Sequence, residues 1–102
     1  VKVVFSAAAR KDLLEIGDYI AIDNPQRAIT FVRALREAAR RIGDMPRAFP
    51  LVPRYERWGL RRCPHQNYLI FYTIEPSRIG IVHVLHAARD YEAILFPDAP
   101  PN

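Results

Sequence analysis

The sequence predicts an α+β fold: an N-terminal strand, then an antiparallel helical hairpin packed on a mainly antiparallel sheet of three to four strands. Three observations carry that prediction. Between Asn67 and His86, two runs of aliphatic, β-branched and aromatic residues flank a Glu75-Pro76-Ser77-Arg78 turn, the pattern of a β-hairpin. Upstream, apolar residues recur at helical spacing in two stretches separated by little more than Asp23-Asn24-Pro25. Between them, Pro46, Pro50 and Pro53 exclude both helix and central strand, so the chain must cross over from the helices to the sheet there.

Taken in order, Val1 to Phe5 is a short strand ending at Ser6, an N-cap placed directly before three alanines. Leu13, Ile16, Gly17 and Ile20 form the apolar stripe of a first helix of about four turns, with Arg10, Lys11, Asp12, Glu15 and Asp18 over the rest of its surface. Pro25 ends that helix and starts the next, with Asn24 as N-cap. Ala28, Phe31, Val32, Leu35, Ala38, Ala39 and Ile42 form the second stripe, which closes at Gly43, expected in a left-handed conformation. So short a connection makes the two helices antiparallel neighbours. Leu60 to Cys63 is expected to pair with the hairpin, with Pro64 to Asn67 as the connection, and the hairpin strands run to Ile74 and from Ile79 to His86. Both hairpin strands are apolar on both faces, so the second face must be covered by helices, another chain, or both. Residues 1–96 are expected to form one domain and the proline-rich residues 97–102 a flexible tail.

Composition narrows the function. A chain of 102 residues with half of them hydrophobic suits one core. Thirteen of the fifteen cations are Arg, against eleven acids, which favours an acidic partner and planar contacts to carboxylate or phosphate. A lone Cys63 offers no disulfide framework, no apolar run is long enough to span a membrane, and Val1 to Ala9 is unlike a signal peptide. A soluble, cytoplasmic protein is therefore expected.

Chemistry concentrates in two places. Past the hairpin, His86 to Tyr91 gathers an imidazole, a guanidinium, a carboxylate and a phenol. His83 and His86, three apart on a strand, point to opposite faces and lack supporting ligands, so no metal site is expected, nor any cofactor. Arg54, Tyr55, Arg57, Trp58, Arg61, Arg62 and His65 interleave guanidinium and aromatic groups, as phosphate- and base-binding surfaces do, and as charged edge strands do.

FSAAARKDLLEIGDYI, the Asn24-Pro25-Gln26-Arg27-Ala28 start of the second helix, RIGDMPRAFP, GLRR at Gly59 to Arg62, NYLIFYTIE and above all VLHAARDY at Val84 to Tyr91 together resemble the RelE/ParE superfamily of bacterial type II toxins, the ParE branch more than the RelE branch. The resemblance implies a toxin that inhibits DNA gyrase and is neutralised by a ParD-like antitoxin in a toxin–antitoxin hetero-oligomer. RelE-like relatives are ribosome-dependent mRNA endoribonucleases, and the nearest equivalents of their catalytic groups are Arg61, His86, Arg89 and Tyr91. Asp90 is a ready partner for Arg89, which argues for binding over catalysis. Trp58, Arg61, Arg62, Arg89 and Tyr91 are then expected to meet the target, and Phe31, Val32, Leu35 and Tyr72 the antitoxin. A third reading is an interaction module that has lost toxicity.

Overall fold

The computed structural model describes residues 1–98, and of the expected tail, residues 99–102 lie outside the described part. The elements are β1 (Lys2–Phe5), α1 (Ala7–Ala21), α2 (Pro25–Ile42), a single 3₁₀ turn (Glu56–Trp58), β2 (Leu60–His65), β3 (Tyr68–Ile74), β4 (Arg78–His86) and α3 (Tyr91–Leu95). Both helix starts form as expected. Ser6 Oγ accepts from the Ala9 N–H at 3.0 Å, and Asn24 Oδ1 accepts from the Arg27 N–H at 3.1 Å with Pro25 in the first turn.

The sheet has four strands in the order β1-β4-β3-β2. β2, β3 and β4 form the antiparallel meander, while β1 lies parallel to β4, Lys2 opposite Arg78 through Phe5 opposite Ile81. A parallel pair needs a crossover, and the helical hairpin is part of it. Ser6 fastens the junction: its N–H donates to Ile81 O at 3.0 Å and its hydroxyl to Val82 O at 2.8 Å. Opposite Phe71 and Tyr72 the β4 register shifts by one residue, which leaves Val82 as the extra residue of a bulge.

Each face of the sheet has its own core. On one, Leu13 and Ile16 of α1 and Phe31, Leu35, Ala38, Ala39 and Ile42 of α2 pack on Cys63, Ile70, Tyr72, Ile79, Ile81 and Val84. On the other, Leu60, Phe71 and Leu85 are covered by Val52 and Tyr55 of the crossover and by Tyr91, Ile94, Leu95 and Phe96. The covering that two apolar faces demand is thus supplied by the chain itself.

Three local expectations are corrected. Gly43 is right-handed (φ −59°); glycine suits it because a Cβ would lie 2.5 Å from the Val1 carbonyl oxygen. The left-handed glycine is Gly59 (φ 69°), which closes the 3₁₀ turn. Pro64 and His65 belong to β2, opposite Leu69 and Tyr68, so the β2–β3 turn is only Gln66-Asn67, with Gln66 at φ 53°. A short helix, α3, occupies residues for which no regular structure was expected, because its stability comes from docking.

Candidate functional site

Three surfaces carry chemistry. The first is an open cleft of about 480 Å³ between α1, the start of α2 and the β3–β4 end of the sheet. His86, at the last position of β4, lines it together with Arg89, Arg27, Asn67, Tyr68, Tyr19 and Glu15. His86 Nδ1 accepts the Ala88 N–H at 3.0 Å, so the neutral ring carries its proton on Nε2. Its ring meets Tyr68 edge-on at 5.1 Å. Burial, with the nearby Tyr19 phenol, pushes the Tyr68 phenol above its ordinary range and keeps it protonated.

At the cleft wall, Asp12 binds β4. One carboxylate oxygen lies 2.7 Å from His83 Nδ1 and accepts the Val84 N–H at 2.9 Å. His83 is thus bonded to a residue 71 positions away in the chain.

The second surface is the sheet face under α3. Arg62 Nη1 donates to the Tyr91 hydroxyl at 2.8 Å, Arg54 pairs with Glu92 at 3.0 Å, and Tyr55 donates to the same Glu92 oxygen at 3.1 Å. The Phe96 ring stacks on Tyr55 with centroids 3.8 Å apart and planes 7° from parallel. Burial first, then Glu92, pushes the Tyr55 phenol up. α3 owes its start to Asp90, whose carboxylate accepts the Ala93 N–H at 3.4 Å. Asp90 is thus a helix cap and makes no ion pair with Arg89, which corrects the pairing expected between them.

The third surface is an apolar groove of about 580 Å³ along the outer side of the helical hairpin, lined by Leu13, Leu14, Gly17, Ala21, Ala28, Ile29 and Val32, with Arg33 and Arg36 at its rim. Leu14 and Ile29 are 66% and 55% exposed.

The residues expected to act together are divided among these surfaces. Of the four candidate catalytic groups, His86 and Arg89 share the cleft and Tyr91, the first residue of α3, packs on the opposite face, while Arg61 is tied to Phe49 O at 2.6 Å. Of the expected target contacts, Trp58 is 59% exposed beneath the Arg57 guanidinium and Arg89 is exposed, but Arg62 and Tyr91 bond to each other. Of the expected antitoxin contacts, Phe31, Leu35 and Tyr72 are buried in the internal core, and only Val32 reaches the groove. Leu14, Ile29 and Asp12 escaped sequence reasoning. The first two break the apolar stripe of their helices outward, a signal that was present in the sequence.

Burial pushes the Cys63 thiol up, against nucleophilic use. Among the described residues no three His, Cys, Asp or Glu side chains cluster as a metal would require, and no helix is long and apolar enough to cross a membrane.

Comparison with known proteins adds to this geometry. The family described as "ParE toxin of type II toxin-antitoxin system, parDE" matches over residues 3–91. The fold is similar to a chain of the chromosomal ParDE toxin–antitoxin system from P. aeruginosa, with a TM-score of 0.70 at 17% identity over 84% of this chain and 95% of that one. It is also similar to a chain of the RelBE2 toxin–antitoxin complex from Mycobacterium tuberculosis, with a TM-score of 0.59 at 26% identity over 83% of this chain and 95% of that one. No curated protein matches by sequence.

Proposed function

Because the chain belongs to the ParE toxin family of type II toxin–antitoxin systems, we propose that it stops growth by binding DNA gyrase rather than by cutting RNA, and that a ParD-like antitoxin holds it inactive. The observation that carries the binding reading is the dispersal of the candidate catalytic groups. Cleavage of a phosphodiester needs a base, an acid and a cation within reach of one phosphate. Here His86 and Arg89 open on the α1 side, Tyr91 is engaged with Arg62 on the other face, and Arg61 is held by a backbone carbonyl. An interface makes no such demand, since its energy gathers on a few aromatic and Arg anchors such as exposed Trp58.

The groove on the helical hairpin supports the antitoxin half of the proposal. It offers apolar anchoring points beside Arg33 and Arg36, which suits an acidic amphipathic segment lying along it. One observation favours the ribonuclease alternative: Arg89 has no ion-pair partner among the described residues, so it is free to meet a phosphate.

His86→Ala separates the two. The variant is expected to fold, to remain toxic when expressed without antitoxin, and to inhibit gyrase supercoiling in vitro as the parent does. Loss of toxicity in a folded His86→Ala chain, where the parent cleaves messages and leaves supercoiling untouched, would move the assignment to the ribonuclease.

A further inference from the structure

We propose that the cleft between α1 and the β3–β4 end binds a nucleoside monophosphate. Its volume of about 480 Å³ is in the range of small-molecule sites. Two guanidinium groups from separate elements, Arg27 of α2 and Arg89 beyond β4, line it, and neither has an ion-pair partner among the described residues. Arg27 lies 5.4 Å from the centre of the Phe31 ring, which restrains it at the cleft. His86 lines the same cleft and carries an Nε2–H, because its Nδ1 accepts from Ala88. Two guanidinium groups and a ring N–H form a donor set for a phosphate monoester, which guanidinium groups meet in bidentate fashion.

The remaining wall suits the nucleoside. The Tyr19 and Tyr68 rings line the cleft and offer flat apolar surface to a base. On the α1 side stand two carboxylates with different duties. That of Asp12 has one oxygen engaged by His83 and the Val84 N–H, whereas Glu15 is exposed and makes no ion pair among the described residues. Glu15 can accept from sugar hydroxyls or an exocyclic amine, and it repels a ligand that is anionic throughout. Two cations, two aromatic rings and a carboxylate acceptor lining one cleft match a molecule that combines an anionic group with a base and hydroxyls. The proposal does not depend on which cellular target the toxin meets.

The test is a titration of the full chain, followed by calorimetry and by backbone NMR shifts, with AMP, GMP, CMP and UMP, with adenosine, with inorganic phosphate, and with a short single-stranded oligonucleotide. At least one monophosphate is expected to saturate the cleft and to bind more tightly than either adenosine or phosphate alone. Arg27→Met and Arg89→Met are each expected to weaken it roughly tenfold, about 1.4 kcal/mol, while Arg33→Met on the hairpin groove leaves it unchanged. Tighter binding of the oligonucleotide than of its monomer assigns the site to a residue within a strand; weaker binding assigns it to the free nucleotide. Absence of saturable shifts with all four monophosphates overturns the proposal. So does phosphate binding as tightly as the nucleotide, or affinity indifferent to both Arg substitutions in chains whose melting curves show them folded.

Discussion

The Asp12 carboxylate fixes how α1 sits against the sheet. β1 pairs with β4 only as far as Ile81, so beyond that point the outward backbone N–H groups of β4 have no strand beside them. Asp12 supplies the acceptor for Val84 and binds His83 with the same oxygen. Asp12→Ala removes a charged acceptor and strands that N–H, and a loss of about 1.5–3 kcal/mol is expected in urea unfolding; Asp12→Asn, which keeps an oxygen, should lose less. Nothing in the sequence separates Asp12 from the other charges of α1, because its partners are 71 and 72 residues away. Tyr72 gives a second test at this scale. Its phenol is buried and donates to Pro46 O at 2.6 Å, and burial pushes its pKa above the 10.0 of an exposed tyrosine. The unfolded chain therefore releases this proton at lower pH than the folded one. The stabilisation is complete below pH 10 and is lost as pH rises from there through the folded value. Tyr72→Phe should flatten the decline of urea stability in that alkaline window.

Elements longer than about ten residues were legible because their patterns repeat. The stripes of α1 and α2, both N-caps, and the β3–β4 hairpin all follow from local spacing and turn chemistry. α3 was not legible. A five-residue helix has no independent stability in water, and what holds it are contacts to residues far upstream: Tyr91 to Arg62, Glu92 to Arg54 and Tyr55, Phe96 on Tyr55. Phe96→Ala removes the stacked ring. It is expected to cost about 0.5–1.5 kcal/mol from the lost aromatic pairing beyond the area uncovered, and to speed amide exchange in α3 before any other helix. Equal exchange rates in α3 of parent and variant would show that the stack does not hold it. The same distance problem hid the site. That His86 and Arg89 meet Arg27 across a cleft depends on how α1 and α2 lie on the sheet, which no local pattern encodes.

For the molecule as a whole, charge is unevenly placed. α2 carries Arg27, Arg33, Arg36, Arg40 and Arg41 against Glu37, a surplus of four that equals the net charge of the entire chain. The rest of the chain is balanced, so the cationic excess lies on the helix that borders the exposed groove. Capture of an acidic antitoxin segment should therefore be fast at low ionic strength and slow as salt approaches a Debye length of about 8 Å. Leu14→Asp with Ile29→Asp places negative charge in that groove at exposed positions, so the fold and toxicity are expected to survive while neutralisation by antitoxin fails. Neutralisation of the double variant as complete as that of the parent would place the antitoxin elsewhere.

The parallel pairing of β1 with β4 has a further meaning for the order in which the chain assembles. The hairpins and the helix pair close short loops, whereas joining Ser6 to Val82 closes one spanning 76 residues. Loop-closure entropy rises with length, and contacts so distant form late unless earlier structure brings their ends together. During synthesis β1 precedes β4 and has no strand partner until β4 has followed it. The helical hairpin and the meander can each assemble beforehand, and docking β1 along β4 is the step that joins them into one cooperative unit.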